Sequence, residues 1–236
     1  MRNSPDDVLV KMLEMLSFIS CTFLPPDKLK PYVLSFLKEI AKGDNNKAMG
    51  PGYAKDTIYR MLRMDKNKVT RRFIPVIEFE LERVLKRSPI LVSIGFPGGN
   101  QKKLAIDSCT SFKEVQELLL DKLGVPGASG YAIYKKISKV YQKVLNPNDN
   151  ICDTVATMKA YEESLKSKIS FEFILRKRIF LLTEPPLDEQ ERILLYQQAF
   201  TDILEGSLPC STFDLAKLGS LKVDYFSSFQ IFLSIL

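Results

Sequence analysis

The chain reads as a mixed multidomain protein: an all-helical segment, an α+β segment and a second helical segment. Three observations predict this. Apolar residues recur every three to four positions up to about residue 88, strand-like alternation with turn residues takes over from 89 to 180, and helical spacing returns after Pro185-Pro186. The 236 residues suffice for two or three small domains, with expected bounds of 1–88, 89–184 and 185–236. A hydrophobic content of 45% with 26% charged residues is ordinary for a globular core and a solvated surface.

In the first segment the spacing predicts a helix from Val8 to Phe23 with Val8, Met12, Met15 or Leu16, Ile19 and Phe23 on its inner face, stopped by Pro25-Pro26. A second helix from about Asp27 places Leu29, Val33, Phe36, Leu37 and Ile40 together. The stretch Lys42 to Gly52 is turn-rich and polar and reads as a loop. A third helix, "YAKDTIYRMLRM", groups Ile58, Met61 and Leu62; a fourth runs from Arg72 to Lys86, interrupted at Pro75, with Ile77, Leu81, Val84 and Leu85 inward.

The second segment opens with the hairpin "ILVSIGF", "PGGNQ", "KKLAIDS". Ser111 and Glu114 form an S-x-x-E capping box ahead of a helix carrying Phe112, Val115, Leu119 and Leu123, ended by Gly124. "GYAIYKKI" is a strand, "PNDNICDTVATM" opens a short helix, and "KISFEFILRKRI" is a further strand. In that last strand Phe171, Phe173, Leu175 and Lys177 face one way, and Glu172, Ile174, Arg176 and Arg178 the other. Hairpin, helix, strand, short helix and strand is the order of a ubiquitin-like roll. After the double proline, Asp188 and Glu191 cap a helix with Ile193, Leu194, Gln197, Phe200, Thr201 and Leu204 on one face and Gly206 at its end. A last helix begins near Thr212 or Phe213.

Composition excludes several chemistries. The four cysteines are widely separated and histidine is absent, so neither a Cys/His zinc site nor a Ser-His-Asp arrangement is encoded; the thiols are expected buried and reduced. No glycine precedes a lysine, which rules out a phosphate-binding GxxxxGK[ST] loop. No catalytic, cofactor-binding or metal residues are expected. The first ten residues, "MRNSPDDVLV", are acidic and proline-bearing, unlike a signal peptide, and the apolar runs are too short to span a bilayer, so a cytoplasmic location is expected.

The run "EPPLDEQERILLYQQAFTDILEGSLPCS" resembles the opening of the second lobe of a FERM domain: Leu194, Leu195, Tyr196, Gln197, Asp202, Leu204, Gly206, Pro209, Cys210 and Ser211 fill that family's pattern. The helices in front, "EMLSFISCTFLPPDKLKPYVLSFLKE", "YAKDTIYRMLRM" and "RRFIPVIEFELERVL", are similar to the second half of a MyTH4 domain. Leu13 stands where that family usually carries tryptophan. Together they resemble the MyTH4–FERM tail module of an unconventional, class VII-like myosin, truncated at both ends. The implied architecture is an all-helical partial MyTH4, a ubiquitin-like β-grasp FERM lobe and a truncated helical lobe of the acyl-CoA-binding-protein type. The apolar tail, Phe226 to Leu236, is an exposed sticky patch unless it packs on that lobe.

The resemblance implies a non-catalytic, cytoskeleton-associated adaptor for cargo or adhesion-receptor tail proteins. The net charge of +6 leans towards acidic partners. Lys55, Arg60, Arg63, Lys66, Lys68, Arg71 and Arg72 are the candidate microtubule contacts, or else one solvated helix face with its loop. Lys135, Lys136, Lys139, Arg176, Lys177 and Arg178 are the candidate contacts to an anionic membrane, or else guards of a sheet edge. Few aromatic residues interleave with the first cluster, so nucleic acid is not expected. The short junction from Arg83 to Pro89 implies a fixed arrangement of domains and composite grooves between them.

Overall fold

The computed structural model describes residues 5–43, 49–67, 72, 74–137, 141–165, 171–179 and 188–220. Pro185-Pro186 and the tail beyond 220 lie outside them.

Four helices come first: α1 (Pro5–Ile19), α2 (Lys30–Ala41), α3 (Met49–Lys66) and α4 (Glu78–Leu85). Helix α3 lies between α1 and α2, and their core gathers Leu13, Leu37, Tyr53, Ala54 and Met61. The proline pair after Phe23 separates α1 from α2 as expected, and α3 begins earlier than the sequence suggests, because Pro51 sits in its first turn, where a missing N–H is harmless.

The buried face of α1 differs from the one read by periodicity. Leu13 is 1% exposed, whereas Met12 and Met15 are 60% and 63% exposed. Val8 and Ile19 continue this outer stripe, and Ser17, Ser20 and Cys21 take the inner positions. The cause is a helix with two apolar faces, in which Ser17 turns towards α3 and accepts from the Arg60 guanidinium on its carbonyl and hydroxyl. In the next helices the expected faces hold in part: Val33, Leu37, Ile40, Ile58, Met61 and Val84 are buried or packed on the core, but Leu29, Phe36, Leu62 and Leu81 are exposed, while Thr57, Arg60 and Glu80 are buried.

A five-stranded sheet follows, built from β1 (Ile90–Phe96), β2 (Asn100–Ile106), β3 (Tyr131–Ile137), β4 (Tyr141–Val144) and β5 (Phe171–Lys177) in the order β2-β1-β5-β3-β4. The β1–β2 hairpin pairs Ile90 with Ile106 through Phe96 with Asn100, turning at Gly98 and Gly99, whose φ of +94° and +78° suit glycine. Strands β1 and β5 run parallel at the centre; the remaining pairs are antiparallel. Helix α5 (Phe112–Lys122) packs Phe112, Val115 and Leu119 onto Ile94, Leu104, Ile133, Phe173 and Leu175. Its predicted capping box is present: Glu114 N–H donates to Ser111 Oγ, and Ser111 N–H donates to Glu114.

Helix α6 (Ile151–Leu165) has 15 residues, longer than the short helix expected, and the four-residue edge strand β4 carries too little alternation to be read from sequence. Helix α7 (Glu189–Leu204) begins at the predicted Asp188 cap and ends before Gly206 at φ +73°. Its Leu194 joins the sheet core. Residues 212–220 form a last helical stretch.

Candidate functional site

Arg72 occupies the junction between the first helices and the sheet. Its N–H donates to the Thr22 carbonyl at 2.6 Å. Its guanidinium forks onto Glu80 of α4 at 2.8 and 3.0 Å, reaches Asp153 of α6 at 2.7 Å, and donates to the Cys21 and Ser108 carbonyls at 3.2 Å. The Arg72 and Glu80 side chains are 2% and 0% exposed. A planar guanidinium carries five donors in a fixed fork, so one side chain can hold four chain segments together. Burial alone would loosen its proton; the hydrogen bonds and charges of Glu80 and Asp153 more than offset that and raise its pKa.

Arg63 of α3 makes a parallel bridge, to Asp107 at 2.5 Å and Glu114 at 2.8 Å. Glu114 therefore serves two ends: one oxygen caps α5, the other binds Arg63. Burial pushes the Glu114 carboxyl up, but Arg63 and the Ser111 hydrogen bonds outweigh it and hold the group below its usual range. Arg60 turns inward to the Ser17 hydroxyl at 2.7 Å, and the Tyr53 hydroxyl donates to the Leu85 carbonyl at 2.8 Å.

At the linker, Arg87 takes a left-handed φ of +49° and folds its side chain across Gly52 onto Asp56 at 2.7 Å. A Cβ on Gly52 would stand 1.9 Å from that guanidinium, so glycine is what lets the linker side chain lie flat on α3. Three thiols also lie near the seam: Cys21, Cys109 and Cys152 are buried, and burial pushes each pKa up, while Cys210 is exposed.

This network borders a polar groove of about 520 Å³ between the end of α3, the start of α5 and the loop before α6. Lys66, Asn67, Lys113, Glu117, Asn148 and Asp149 line it with exposed side chains of both charges.

A second seam joins the sheet to α7. Lys177, inward-facing as the alternation predicts, is buried and pairs with Glu191 at 3.0 Å. Its backbone N–H and C=O are both met by the Gln198 amide, each at 2.9 Å. Arg176 pairs with Asp202, and Lys136 with Glu205 at 3.0 Å. Lys135 lies 3.3 Å from the Met158 sulfur, where burial, with the Lys143 charge, lowers its pKa.

The two basic clusters are thus divided by the fold. Of the first, Lys55 and Lys66 are exposed, Arg60, Arg63 and Arg72 are drawn into the seam, and Lys68 and Arg71 lie outside the described residues. Those three arginines do not form a solvent-facing basic face, because carboxylates and carbonyls of neighbouring segments bind them. Of the second, Arg178 is exposed, Lys136, Arg176 and Lys177 are paired with α7 or Glu205, Lys135 is half-buried, and Lys139 lies outside the described residues. The partners Glu80, Asp107 and Asp153 were not singled out from sequence, while Glu191 was read as a helix cap and Asp202 as part of the FERM pattern, neither as an ion-pair partner. Of the first three, Glu80 alone carried a signal, three residues after Ile77 and four before Val84, at an apolar-periodic position. Among the described residues no group of three or more Cys, Asp or Glu side chains is placed to hold a metal, and no helix is long and apolar enough to cross a membrane.

Residues 1–82 match the family described as MyTH4 domain, and residues 88–179 match the one described as RA like domain. The Dictyostelium discoideum myosin-I heavy chain is 27% identical over 96% of this chain and 10% of its own length. Drosophila melanogaster myosin-VIIa is 26% identical over 83% of this chain and 9% of its own. The chain therefore spans about a tenth of those relatives. Among solved structures, the MF1 MyTH4-FERM domain of Dictyostelium discoideum myosin VII, mutant 2, superposes with a TM-score of 0.75 at 25% identity, covering 86% of this chain and 42% of that one. The human myosin 7b C-terminal MyTH4-FERM domain, solved in complex with the harmonin-a PDZ3 domain, shares the fold at a TM-score of 0.66 and 20% identity, over 91% of this chain and 43% of that one. Helices that match the MyTH4 model, followed after a short junction by a sheet that matches the RA-like model, make the chain similar to the MyTH4–FERM modules of unconventional myosins.

Proposed function

We propose that the chain is a non-catalytic adaptor piece of a myosin-type tail, in which residues 1–88, a ubiquitin-like FERM lobe at 89–184 and the start of a helical FERM lobe at 185–236 act as one rigid frame for cargo proteins. The observation that carries this reading is the Arg72 and Arg63 network, which fixes the first helices against the sheet and borders the polar groove between them. A groove lined by fixed elements offers a partner segment hydrogen bonds without an ordering cost. The human myosin 7b module captured with a PDZ domain supports a protein as ligand. The test is a photo-crosslinking residue at Lys113, inside the groove, beside one at Tyr161 on the exposed face of α6. Proteins captured from cell extract at Lys113 and not at Tyr161 are the expected result; the same proteins at both positions, or none, would remove the groove as a docking site.

Microtubule attachment is a second reading, carried by the exposure of Lys55 and Lys66 on α3. Co-sedimentation of the chain with stabilised microtubules, lost in Lys55→Glu/Lys66→Glu, is its expected signature. Pelleting unchanged by that variant would refute those two contacts. Attachment to anionic lipid rests on less charge, because Lys136, Arg176 and Lys177 are paired within the fold. Flotation with anionic vesicles should accordingly be weak and insensitive to Arg176→Gln.

A further inference from the structure

We propose that the outer edge of β2 receives an extended acidic segment of another protein as a sixth strand, with an apolar residue of that segment seated in the cavity beneath α3.

Three observations carry it. The sheet order puts β2 at an edge, bonded to β1 along its whole length and, among the described residues, to no other strand. An edge strand of seven residues presents alternate N–H and C=O groups outward, the template used in recognition by strand addition. Its opposite number, β4, has only four residues and offers less.

The charge of this edge has one sign. Neither β1 nor β2 contains a carboxylate, while β2 holds Lys102 and Lys103 at its centre. Lys102 caps the end of α5 through the Lys122 carbonyl at 2.5 Å, and Lys103 is exposed. A second copy of the chain would set lysine against lysine, so the edge repels its own kind. An acidic strand meets opposite charges directly across, which favours pairing.

The edge then runs into a cavity of mixed lining, in which the charges of Arg63 and Arg87 are paired with Asp107 and Asp56 and leave Tyr59, Pro89 and Leu118 as apolar wall. Ala105 and Ile106 end β2 at a cavity of about 450 Å³ that α3 and α5 complete. Tyr59 and Leu118 in its wall are 56% and 42% exposed, and the buried Ser88 hydroxyl there has no hydrogen-bond partner among the described residues. A strand added antiparallel to β2 enters at this end. Its motif is therefore an apolar or aromatic residue followed, two to three positions on, by acidic ones opposite Lys103 and Lys102.

This extends the adaptor reading to a second surface and rests on it only in taking a protein as ligand. The test pans a display library of random twelve-residue peptides on the full chain, then maps amide exchange with the enriched peptide, synthesised. The expected result is enrichment of that motif, slowed exchange across residues 100–106, and about tenfold weaker binding to a folded Lys102→Glu/Lys103→Glu variant, regained by a peptide with its acids changed to lysine. No enriched peptide, peptides without acidic residues, or protection away from β2 would overturn it; the lysines would then be guards against strand pairing. Protection at residues 107–114 and 146–153 instead would overturn the β2 site while supporting the polar groove.

Discussion

Replacing Arg72 with methionine should be the most damaging single change at the junction. It leaves the Glu80 carboxylate, 0% exposed, without a counter-ion, and strips hydrogen bonds from Asp153 and two backbone carbonyls. Breaking a buried pair from one side typically costs about 3–5 kcal/mol, and the added orphan acceptors place this case near the top of that range. Against the ~5–15 kcal/mol that holds a domain together, that is a third or more of the total. Urea titration followed by far-UV circular dichroism reads it as a lower midpoint at unchanged slope. The double variant Arg72→Met/Glu80→Met should recover most of the loss, because two apolar side chains of similar length replace the pair and Asp153 remains partly solvated. A loss below about 1 kcal/mol in the single variant, or no recovery in the double, would refute the assignment of Arg72 as the junction's central tie.

Ser111→Ala removes one half of the α5 capping box and should cost about 1 kcal/mol, read in the same titration. Met12→Lys/Met15→Lys should leave stability within about 0.5 kcal/mol while lowering the binding of an apolar dye, whereas Leu13→Ala should cost about 2–5 kcal/mol. The reverse pattern would restore the α1 face read from periodicity. Glu114 has a folded pKa below its ordinary value, so its contribution is present above that ordinary value and is lost as pH falls through the folded one. Stability of the parent should therefore drop more steeply than that of Glu114→Gln as pH falls below about 4.3, measured by urea midpoints from pH 6 to 3.

Local chemistry was the legible part of this chain. The capping box at Ser111, the Asp188 cap, the glycine turn at 98–99 and the alternation of β5 depend on neighbours in sequence, and each appears where its residues predict. The inner faces of α1 to α4 were less legible. A helix with apolar residues on two sides does not announce which side meets its neighbour, and Ser17, Ser20 and Thr57, buried with their hydroxyls hydrogen-bonded, look polar on paper. The basic clusters misled for a related reason. Arg63 and Arg72 look like free surface charge until Asp107, Glu114 and Asp153, which are 44, 51 and 81 positions further along the chain, are brought beside them. Charge pairing between distant segments is a property of the fold, and Glu80 at an apolar-periodic position was its one trace in the first helices.

The burial of Cys21, Cys109 and Cys152 beside the junction gives the molecule a clock. A thiol reacts as its thiolate and only when reached, so in the closed frame these three are silent on both counts. A parting of the helices from the sheet would uncover Cys21 and Cys109, which face each other across the seam, and an alkylating reagent would then write that event into the chain as mass. Cys210, exposed in the fold, is labelled at once and sets the zero of the scale. With a reagent that labels faster than the frame recloses, the lag between the Cys210 label and those on Cys21 and Cys109 measures how often the frame opens.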